Sequence, residues 1–397
     1  MIYKFSCVTI GNEILSGFRV DTDFYHLVKK LGEIGYSCLL HLTVPDSIEM
    51  IKKALDICLK ETDIVFTIGG LGPTSDDLTR ESISEFFKTG LEFREDIFYE
   101  LKKREGILSE AKHRKYGLFP KGARIYENEI GLAHAFMISK ENKRIFSLPG
   151  PKNEFEHTLN KIINDLEKFE GYSVLYFDLP FKKEIEIEER LKKKVNIKKF
   201  FFLPYTGGVV LGLRGKKEEV EELKNLISEE FGEEISSLGP EPLEKVIGDL
   251  LRNKRMTLST AESCTGGLLS SRITDIPGSS SYFIGGVVAY SNEIKKKILD
   301  VKEEDLKNFG AVSEPVVKQM AEGIRRVFGT DFGIGISGIA GPNGGTPEKP
   351  VGTVYLSLAF EEKTKVYKKF FTGSRKDIKF KSSHFILNEL RKTLLNL

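Results

Sequence analysis

Short apolar runs alternate with amphipathic stretches of helical period through the first 168 residues. Alternation of this kind predicts strands separated by helices, which form a parallel or mixed sheet with helices on both faces. The predicted strands are 5–10, 37–44, 63–68 and 144–148, and the predicted helices are 23–31, 48–59, 78–87 and 155–166. Ligands of such sheets bind beyond the carboxyl ends of the strands. Two polar, glycine-rich stretches, 11–23 and 69–79, fall at those ends.

The pattern becomes more charged between residues 169 and 240, which we predict to be a small α+β domain. Its predicted strands are 172–177, 200–203 and 209–213, and its predicted helices are 186–194 and 218–231. The lysines between 192 and 199 are expected to form a solvated face rather than a nucleic-acid contact. The sequence Gly-Pro-Glu-Pro at 239–242 predicts a linker to the last domain.

Residues 241–397 return to the pattern of strands separated by helices. Strands are predicted at 256–258, 283–290, 332–337 and 353–359, and helices at 243–253, 316–328 and from 375 onward. The fold class predicted for the chain is therefore α/β. It comprises two parallel- or mixed-sheet domains, 1–168 and 241–397, joined by the small α+β unit 169–240.

Composition narrows the class of protein. A chain of 397 residues with 40% hydrophobic residues is long enough for roughly two or three packed domains. Lysine and arginine total 60 against 58 aspartate and glutamate, so no global basic field favours nucleic acid. The cysteines show no C-x-x-C spacing, and no apolar run is long enough to span a membrane. We expect a cytoplasmic protein without membrane segments.

The stretch 69–79 has the residues expected of a phosphate site. It leaves an apolar strand, offers three glycines for close backbone approach, and brings hydroxyls and carboxylates to the start of a helix. Amides of such a turn cradle a phosphate, and Asp76 and Asp77 are candidates to hold a divalent metal that bridges to it. The alternative is that Ser75 and Asp76 only cap the helix. Two further stretches, 128–133 and 148–154, are expected to complete this pocket.

The stretch 259–273 carries the candidate chemistry of the last domain. An apolar strand runs into a turn of small residues that opens a helix, where unpaired backbone N–H groups are expected to point outward and hold an anion. Ser263 and Cys264 are rival nucleophiles. Lys295, just past an apolar strand, is the candidate base, because the only histidine of this domain, His384, is predicted on a surface helix. A simple helix cap is the alternative.

A second glycine-rich loop, 338–346, follows another apolar strand of the last domain. Its backbone amides are candidates to bind an oxyanion or a phosphate. Lys349 and Arg375 are candidate counter-charges for a phosphorylated substrate. Three loops of small residues at the strand ends of one domain predict a pocket there.

The longest motifs of the chain resemble one family. AESCTGG at 261–267, YSNEIK at 290–295 and GISGIAGPNGGTPEKPVGT at 335–353 resemble the C-terminal domain of the CinA (competence/damage-inducible protein) family. Stand-alone versions of that domain are nicotinamide-nucleotide amidases. GNEILSG at 11–17 and GGLGPTSDDLT at 69–79 resemble the family's N-terminal domain, which has the molybdopterin-binding, MoaB/MogA-like fold. The resemblance covers essentially the whole chain and implies a KH-like middle unit.

For the last domain the resemblance implies hydrolysis of nicotinamide mononucleotide to nicotinate mononucleotide and ammonia, a step of pyridine nucleotide (NAD) salvage. Ser263 would be the nucleophile and Lys295 the base, with no cofactor required, and Arg375 would hold the phosphate. The implied substrate-binding residues are Thr265, Gly266, Tyr290, Gly338, Ala340, Gly341 and Thr346. The family often has a second arginine where this chain has Lys379.

For the N-terminal domain the resemblance implies a metal-dependent ADP-ribose pyrophosphatase. The implied nucleotide site is Glu13, Asp21, Gly70, Gly72, Thr74, Asp77, Asn128 and Glu154. A divalent metal of the Mg or Co/Ni type would lie on Asp76 and Asp77, with K⁺ as a further ion. The stretch 127–135, however, departs from the family's small-residue loop. The alternative for the whole protein is a nucleotide- or pterin-binding interaction protein of competence or DNA repair with vestigial catalysis, and the departure lends it weight for the N-terminal half.

The resemblance also bears on partners. It implies a homodimer that binds a pyridine nucleotide and an ADP-ribose-like nucleotide. A recombination or competence protein is a further implied partner, whereas neither a nucleic acid nor a membrane is expected.

Overall fold

The computed structural model describes residues 3–105, 113–168, 171–239 and 241–397. The chain divides into two compact units, Met1–Ser173 and Val174–Leu397. The predicted boundary at 169, and Pro240 of the predicted linker, lie outside the described residues. Among the described helices, none is both long and apolar enough to cross a membrane.

The first unit is built around a mixed sheet. Its strands are β1 (Tyr3–Ile10), β2 (Tyr36–Val44), β3 (Ile64–Ile68), β4 (Leu91–Phe93), β5 (Leu118–Pro120), β6 (Arg124–Tyr126), β7 (Ala135–Lys140) and β8 (Lys143–Leu148). Its helices are α1 (Asn12–Leu15), α2 (Thr22–Glu33), α3 (Ile48–Glu61), α4 (Thr79–Phe87), α5 (Glu95–Glu105) and α6 (Lys152–Asp165). The main sheet has the order β2-β1-β3-β8-β7-β6, in which the first four strands are parallel and the last two antiparallel. This architecture confirms the predicted α/β class.

Two cores cover the two faces of that sheet, because successive strand residues point to opposite sides. Phe5 and Cys7 of β1 belong to the core that α2 and α6 complete. Val8 and Ile10 belong to the core that α3 and α4 complete. The predicted strand 5–10 is buried at every position, which explains why four of its six residues are apolar and why they lie on both faces.

The second unit opens with a small α+β module that runs to Gly239. Its elements are β9 (Tyr172–Pro180), α7 (Glu184–Leu191), β10 (Phe200–Tyr205), β11 (Gly208–Lys216), α8 (Lys217–Phe231) and β12 (Ser237–Leu238). The strands form one sheet in the order β10-β11-β9-β12, and both helices share its apolar core. Two of the clustered lysines form ion pairs, Lys194 with Glu230 and Lys199 with Glu219. These pairs agree with a solvated face.

The remainder of the second unit is a three-layer α/β domain. Its strands are β13 (Leu258–Glu262), β14 (Phe283–Val288), β15 (Phe332–Gly338), β16 (Thr353–Phe360) and β17 (Lys363–Phe370). Its helices are α9 (Leu243–Lys254), α10 (Leu268–Thr274), α11 (Asn292–Leu299), α12 (Glu303–Phe309), α13 (Glu314–Phe328) and α14 (Arg375–Leu395). The sheet order is β14-β13-β15-β16-β17, with β14, β13 and β15 parallel. Helices α9, α10 and α14 cover one face, and α11 to α13 cover the other.

Glycines set how closely α13 packs on the central strand β15. A Cβ added at Gly335 would lie 2.6 Å from the carbonyl oxygen of Val317, and one at Gly333 would lie 2.2 Å from that of Ala321. Any larger residue would push helix and strand apart. Because β15 pairs with β13 and ends in the second glycine-rich loop, this packing also determines where the strand ends and their loops lie.

Candidate active site

The stretch 259–273 forms a sharp turn at the carboxyl end of β13. The backbone N–H of Ser263 donates to the carbonyl of Ile336 at 2.9 Å, which continues the pairing with β15 by one residue. Gly266 and Gly267 then adopt the left-handed φ values of 61° and 91°, which glycine tolerates best. Ser263 is therefore held at the end of a central strand, where parallel sheets place ligands.

The start of α10 is not open to an anion, contrary to the prediction from sequence. The carboxylate of Glu262, 1% exposed, accepts hydrogen bonds from the backbone N–H groups of Gly267 (3.1 Å), Leu269 (3.0 Å) and Ser270 (2.8 Å). The Ser270 hydroxyl donates to it as well, at 2.6 Å. A buried carboxylate needs such donors, and the positive end of a helix supplies them.

Two backbone amides lie nearer to Ser263, the candidate nucleophile. Among the described residues, no acceptor is found for the backbone N–H groups of Cys264 and Thr265. The hydroxyl of Thr265 is also fully buried without a partner there. Donors next to a nucleophile are suited to stabilise the oxyanion that its attack creates.

Lys295 lies in the first turns of α11 rather than in a loop, and it reaches Ser263. Its Nζ is 3.2 Å from Ser263 Oγ, 2.8 Å from the carbonyl oxygen of Ala289 and 3.4 Å from that of Tyr290. The residue is only 1% exposed, and none of these partners is a carboxylate. Burial lowers the pKa of Lys295 and so favours the neutral amine, which can accept a proton.

The rival nucleophile, Cys264, is buried in the apolar core with Leu269 and Ile336. Burial raises the pKa of its thiol to about 12, so the reactive thiolate is disfavoured. The expectation that His384 lies on a surface helix is wrong. Because the small module packs on α14, His384 is 3% exposed, and its ring nitrogens face Tyr205 and Arg272.

Cationic side chains from α14 border the turn. Arg375 donates to the carbonyl of Gly341 at 2.6 Å and to the hydroxyl of Tyr290 at 3.2 Å, so it links two of the predicted loops. Lys379, one helical turn later, lies beside the turn formed by residues 263–267. A Cβ added at Gly266 would be 3.6 Å from the Nζ of Lys379. The structure therefore brings these predicted residues together around Ser263.

Other predicted residues of the second glycine-rich loop have structural contacts of their own. Gly338 ends β15 opposite Val354, and Ala340 is buried. Thr346 is exposed and its hydroxyl accepts from the backbone N–H of Lys349 at 3.1 Å. The ammonium of Lys349 donates to the carbonyl of Phe309 at 2.7 Å, at the end of α12, and no contact links it to Arg375.

In the first unit, the glycines of the stretch 69–79 allow the chain to cross the end of β1. A Cβ at Gly69 would lie 2.3 Å from the carbonyl oxygen of Ile10, and one at Gly70 would lie 2.3 Å from Thr79 Oγ1. Both residues have left-handed φ values, 98° and 67°. The close approach that the sequence predicts is therefore made to the protein itself.

The carboxylates of that loop are partly occupied. Asp77 accepts from the backbone N–H of Thr74 at 2.9 Å and also from its hydroxyl, beside Gly72. The alternative that Ser75 and Asp76 cap the helix is not seen, because α4 begins at Thr79 without a side-chain cap. Among the described residues, no group of three or more His, Cys, Asp or Glu side chains is arranged to hold a metal ion. The divalent ion expected on Asp76 and Asp77, where it would bridge to a bound phosphate, stays a prediction.

Asp21 caps α2 and belongs to a network that sequence reasoning missed. It accepts from the backbone N–H of Phe24 at 2.9 Å and from the hydroxyl of Thr9 at 2.6 Å, and His41 lies 3.4 Å away. Although burial opposes it, hydrogen bonds from His41 and Thr9 lower the pKa of Asp21. Polar residues within the apolar strands β1 and β2 are the signal that could have found Thr9 and His41. Glu13 folds back over Gly11 in α1.

The two remaining predicted stretches of the first unit do meet. Asn128 is fully buried, and its amide donates to Glu154 at 2.6 Å and to the carbonyl of Ala133 at 3.0 Å. Arg104 of α5, which the sequence did not single out, donates to the carbonyl of Asn128 at 2.9 Å. A Cβ at Gly131 would collide with Glu154 at 2.0 Å, so this loop is tightly packed.

Comparison with known proteins identifies both halves. Residues 6–168 match the family model described as "Probable molybdopterin binding domain", and residues 240–394 match "CinA C-terminal domain". The chain is therefore a protein that joins an α/β domain of the molybdopterin-binding type to a CinA-type α/β domain.

Relatives match this chain over nearly its whole length. A CinA-like protein of Thermosipho melanesiensis is 38% identical over 397 residues, and the match covers 98% of each chain. One from Kosmotoga olearia is 38% identical over 414 residues and covers 99% of this chain and 100% of the relative. A crystal structure of a competence or damage-inducible protein from Enterobacter asburiae matches 38% of this chain and 95% of its own, at 38% identity and a TM-score of 0.37. The chain belongs to the CinA family.

Proposed function

We propose that this protein is an amidase that hydrolyses nicotinamide mononucleotide to nicotinate mononucleotide and ammonia. The observation that carries the proposal is the buried contact between Lys295 Nζ and Ser263 Oγ at 3.2 Å. Hydrolysis of a carboxamide needs an activated nucleophile and a proton donor for the departing nitrogen. A serine paired with a neutral lysine supplies both.

In the first step, Ser263 Oγ attacks the carboxamide carbon while Lys295 takes the hydroxyl proton. The two N–H bonds of a neutral lysine amine can donate to the carbonyls of Ala289 and Tyr290, which leaves its lone pair toward Ser263. Burial lowers the pKa of Lys295 and so favours the neutral amine that this step requires. The C–O bond forms as the carbonyl oxygen takes the negative charge.

In the next steps the proton on Lys295 passes to the leaving nitrogen. The N–H groups of Cys264 and Thr265 are the nearest donors in sequence for the oxyanion. As the oxyanion collapses, the C–N bond breaks, ammonia leaves and an ester remains on Ser263. Water then attacks the ester with Lys295 as its base, and nicotinate mononucleotide leaves as Ser263 recovers its proton.

The cations of α14 support a phosphorylated substrate. Arg375 and Lys379 lie on one face of the helix, four residues apart, beside the nucleophile turn. A phosphate monoester offers the oxygens that an arginine fork and an ammonium bind. Tyr290 is 63% exposed, so its ring is accessible to the pyridine ring of such a substrate. Lys379 keeps the positive charge of the family's second arginine but cannot bind a phosphate in the bidentate geometry of a guanidinium.

The proposal is tested by incubating the protein with nicotinamide mononucleotide and measuring ammonia and the second product. We expect both in equal amounts from the wild type, and roughly a thousandfold lower rate from Lys295→Met, which loses the base. Lys297→Met is the matched control, because Lys297 is exposed on the same helix. No ammonia from the wild type, or equal rates from the two lysine variants, would refute the amidase.

For the N-terminal domain we propose nucleotide or pterin binding. The position of the glycine-rich loop 69–79, directly after the parallel strand β3, supports it, and the hydrogen bonds of Asp77 to Thr74 weigh against a preformed metal site. A metal-dependent ADP-ribose pyrophosphatase is the alternative. Calorimetry with ADP-ribose in EDTA should show binding without turnover, whereas AMP formed on addition of Mg²⁺ would favour the pyrophosphatase. The homodimer and the competence partner stay predictions.

A further inference from the structure

A buried chain of polar side chains joins the small module to the CinA-type domain within the second unit. His384 of α14 has a partner on each ring nitrogen. Its Nδ1 is 3.1 Å from Arg272, and its Nε2 is 3.0 Å from the hydroxyl of Tyr205 in β10. That hydroxyl lies 2.7 Å from a carboxylate oxygen of Asp178 in β9. Asp178 in turn accepts from the hydroxyl of Ser236.

The direction of each hydrogen bond in this network follows from Arg272. A guanidinium can only donate, so Nδ1 of His384 accepts from Arg272 and Nε2 carries the proton. That N–H donates to Tyr205, whose hydroxyl therefore donates to Asp178. Burial lowers the pKa of His384 to about 3, which keeps the ring neutral and preserves this order. Loss of the Tyr205 hydroxyl would leave a buried N–H without an acceptor.

The turn after Tyr205 packs against the same helix. A Cβ at Gly207 would lie 2.9 Å from His384 Cδ2 and 3.1 Å from a ring carbon of Phe380, so only glycine allows this approach. The module therefore packs against the second and third turns of α14.

The two helices of the CinA-type domain that take part in these contacts, α14 and α10, also border the candidate active site. Helix α14 starts with Arg375, which bonds Gly341 and Tyr290. Arg272 lies in α10, the helix that follows the turn after Ser263. Its guanidinium donates to the carboxylate of Glu244 in α9 at 2.5 Å. A displacement of α14 would move the phosphate-binding cation without moving Ser263 or Lys295, which are held by β13 and α11.

We propose that the small module is a positioning element of the amidase site: Tyr205 and Asp178 hold α14 through His384, so that Arg375 keeps its place for the substrate's phosphate. None of these residues touches substrate, and they are positioning residues. The inference rests on the proposed amidase function. It assigns a role to the module, for which the sequence indicated no chemistry.

The test is a comparison of KM and kcat for nicotinamide mononucleotide. Tyr205→Phe keeps the ring and removes the hydroxyl, and we expect KM to rise roughly three- to tenfold while kcat changes less than about twofold. Gly207→Ala pushes the turn from α14 and should act in the same direction. Ile227→Val, in the core of the same module but outside the chain, is the matched control and should leave KM unchanged. A purely structural role would lower the melting temperature of all three without this KM pattern.

A binding measurement separates this inference from the amidase proposal. Nicotinamide mononucleotide is titrated calorimetrically into Ser263→Ala and into Ser263→Ala/Tyr205→Phe. We expect binding to both, with Kd roughly three- to tenfold weaker in the double variant. Equal Kd values overturn the positioning role even if the wild type releases ammonia. Weaker binding in the double variant together with a wild type that releases no ammonia supports the positioning role and overturns the amidase.

Discussion

Replacing Glu262 with glutamine removes the charge that fills the start of α10 while it keeps the size of the side chain. The carboxylate is 1% exposed and accepts four hydrogen bonds, two on each oxygen. An amide accepts on one oxygen only, and its NH₂ group would face two donors. Loss of two charge-assisted hydrogen bonds, at about 1.5–3 kcal/mol each, predicts a local destabilisation of about 3–6 kcal/mol.

Hydrogen exchange measured by mass spectrometry on peptides from 258–274 reports this change where it occurs. A loss of about 3 kcal/mol corresponds to exchange more than about a hundredfold faster. Glu293→Gln is the matched control, because Glu293 is an exposed acid in the first turn of α11, and we expect it to change stability by less than about 0.5 kcal/mol. Exchange in Glu262→Gln that is less than about tenfold faster would refute the reasoning, since the helix amides would then not depend on this carboxylate.

If Lys295 acts as a neutral base, kcat/KM rises with pH and levels off above the lowered pKa of Lys295, because protonation removes the lone pair of the amine. A pH–rate profile in which kcat/KM does not fall at low pH contradicts that role. Cys264, whose pKa burial raises to about 12, should resist iodoacetamide in the folded protein, and rapid alkylation seen by mass spectrometry would contradict its burial. Gly70→Ala places a side chain at a φ of 67° and 2.3 Å from Thr79 Oγ1, so we expect thermal unfolding to show a loss of about 2 kcal/mol. Gly32→Ala, in a helix with open space around it, should instead gain about 0.5–1 kcal/mol, and equal melting temperatures for the two variants would count against this account.

The parallel strands are predictable from the sequence because burial on both faces makes them apolar throughout. The predicted strand 332–337, for example, lies within β15, which the structure buries almost completely. The antiparallel hairpin of β7 and β6 is not predictable in this way. Strand β6 has only three residues, which are too few for a periodic signal.

The candidate site is likewise only partly predictable from the sequence. Ser263 and Lys295 stand in long motifs, so they are identifiable, but their contact joins residues 32 apart and depends on the parallel pairing of β13 with β14. The role of Glu262 is not predictable from the sequence, because it depends on the direction of its side chain toward the start of α10, which no local sequence pattern determines. The sequence places His384 on a surface helix, whereas in the structure the small module covers that side of α14, a contact between residues distant in sequence.

Ammonia release from nicotinamide mononucleotide by Ser263→Ala and Cys264→Ala, beside the wild type, tests the central claim most directly. The account predicts ammonia from the wild type and from Cys264→Ala, whose thiol is buried and protonated, and none above background from Ser263→Ala. Ammonia from Ser263→Ala at the wild-type rate, or its loss in Cys264→Ala with the fold intact, would contradict Ser263 as the nucleophile.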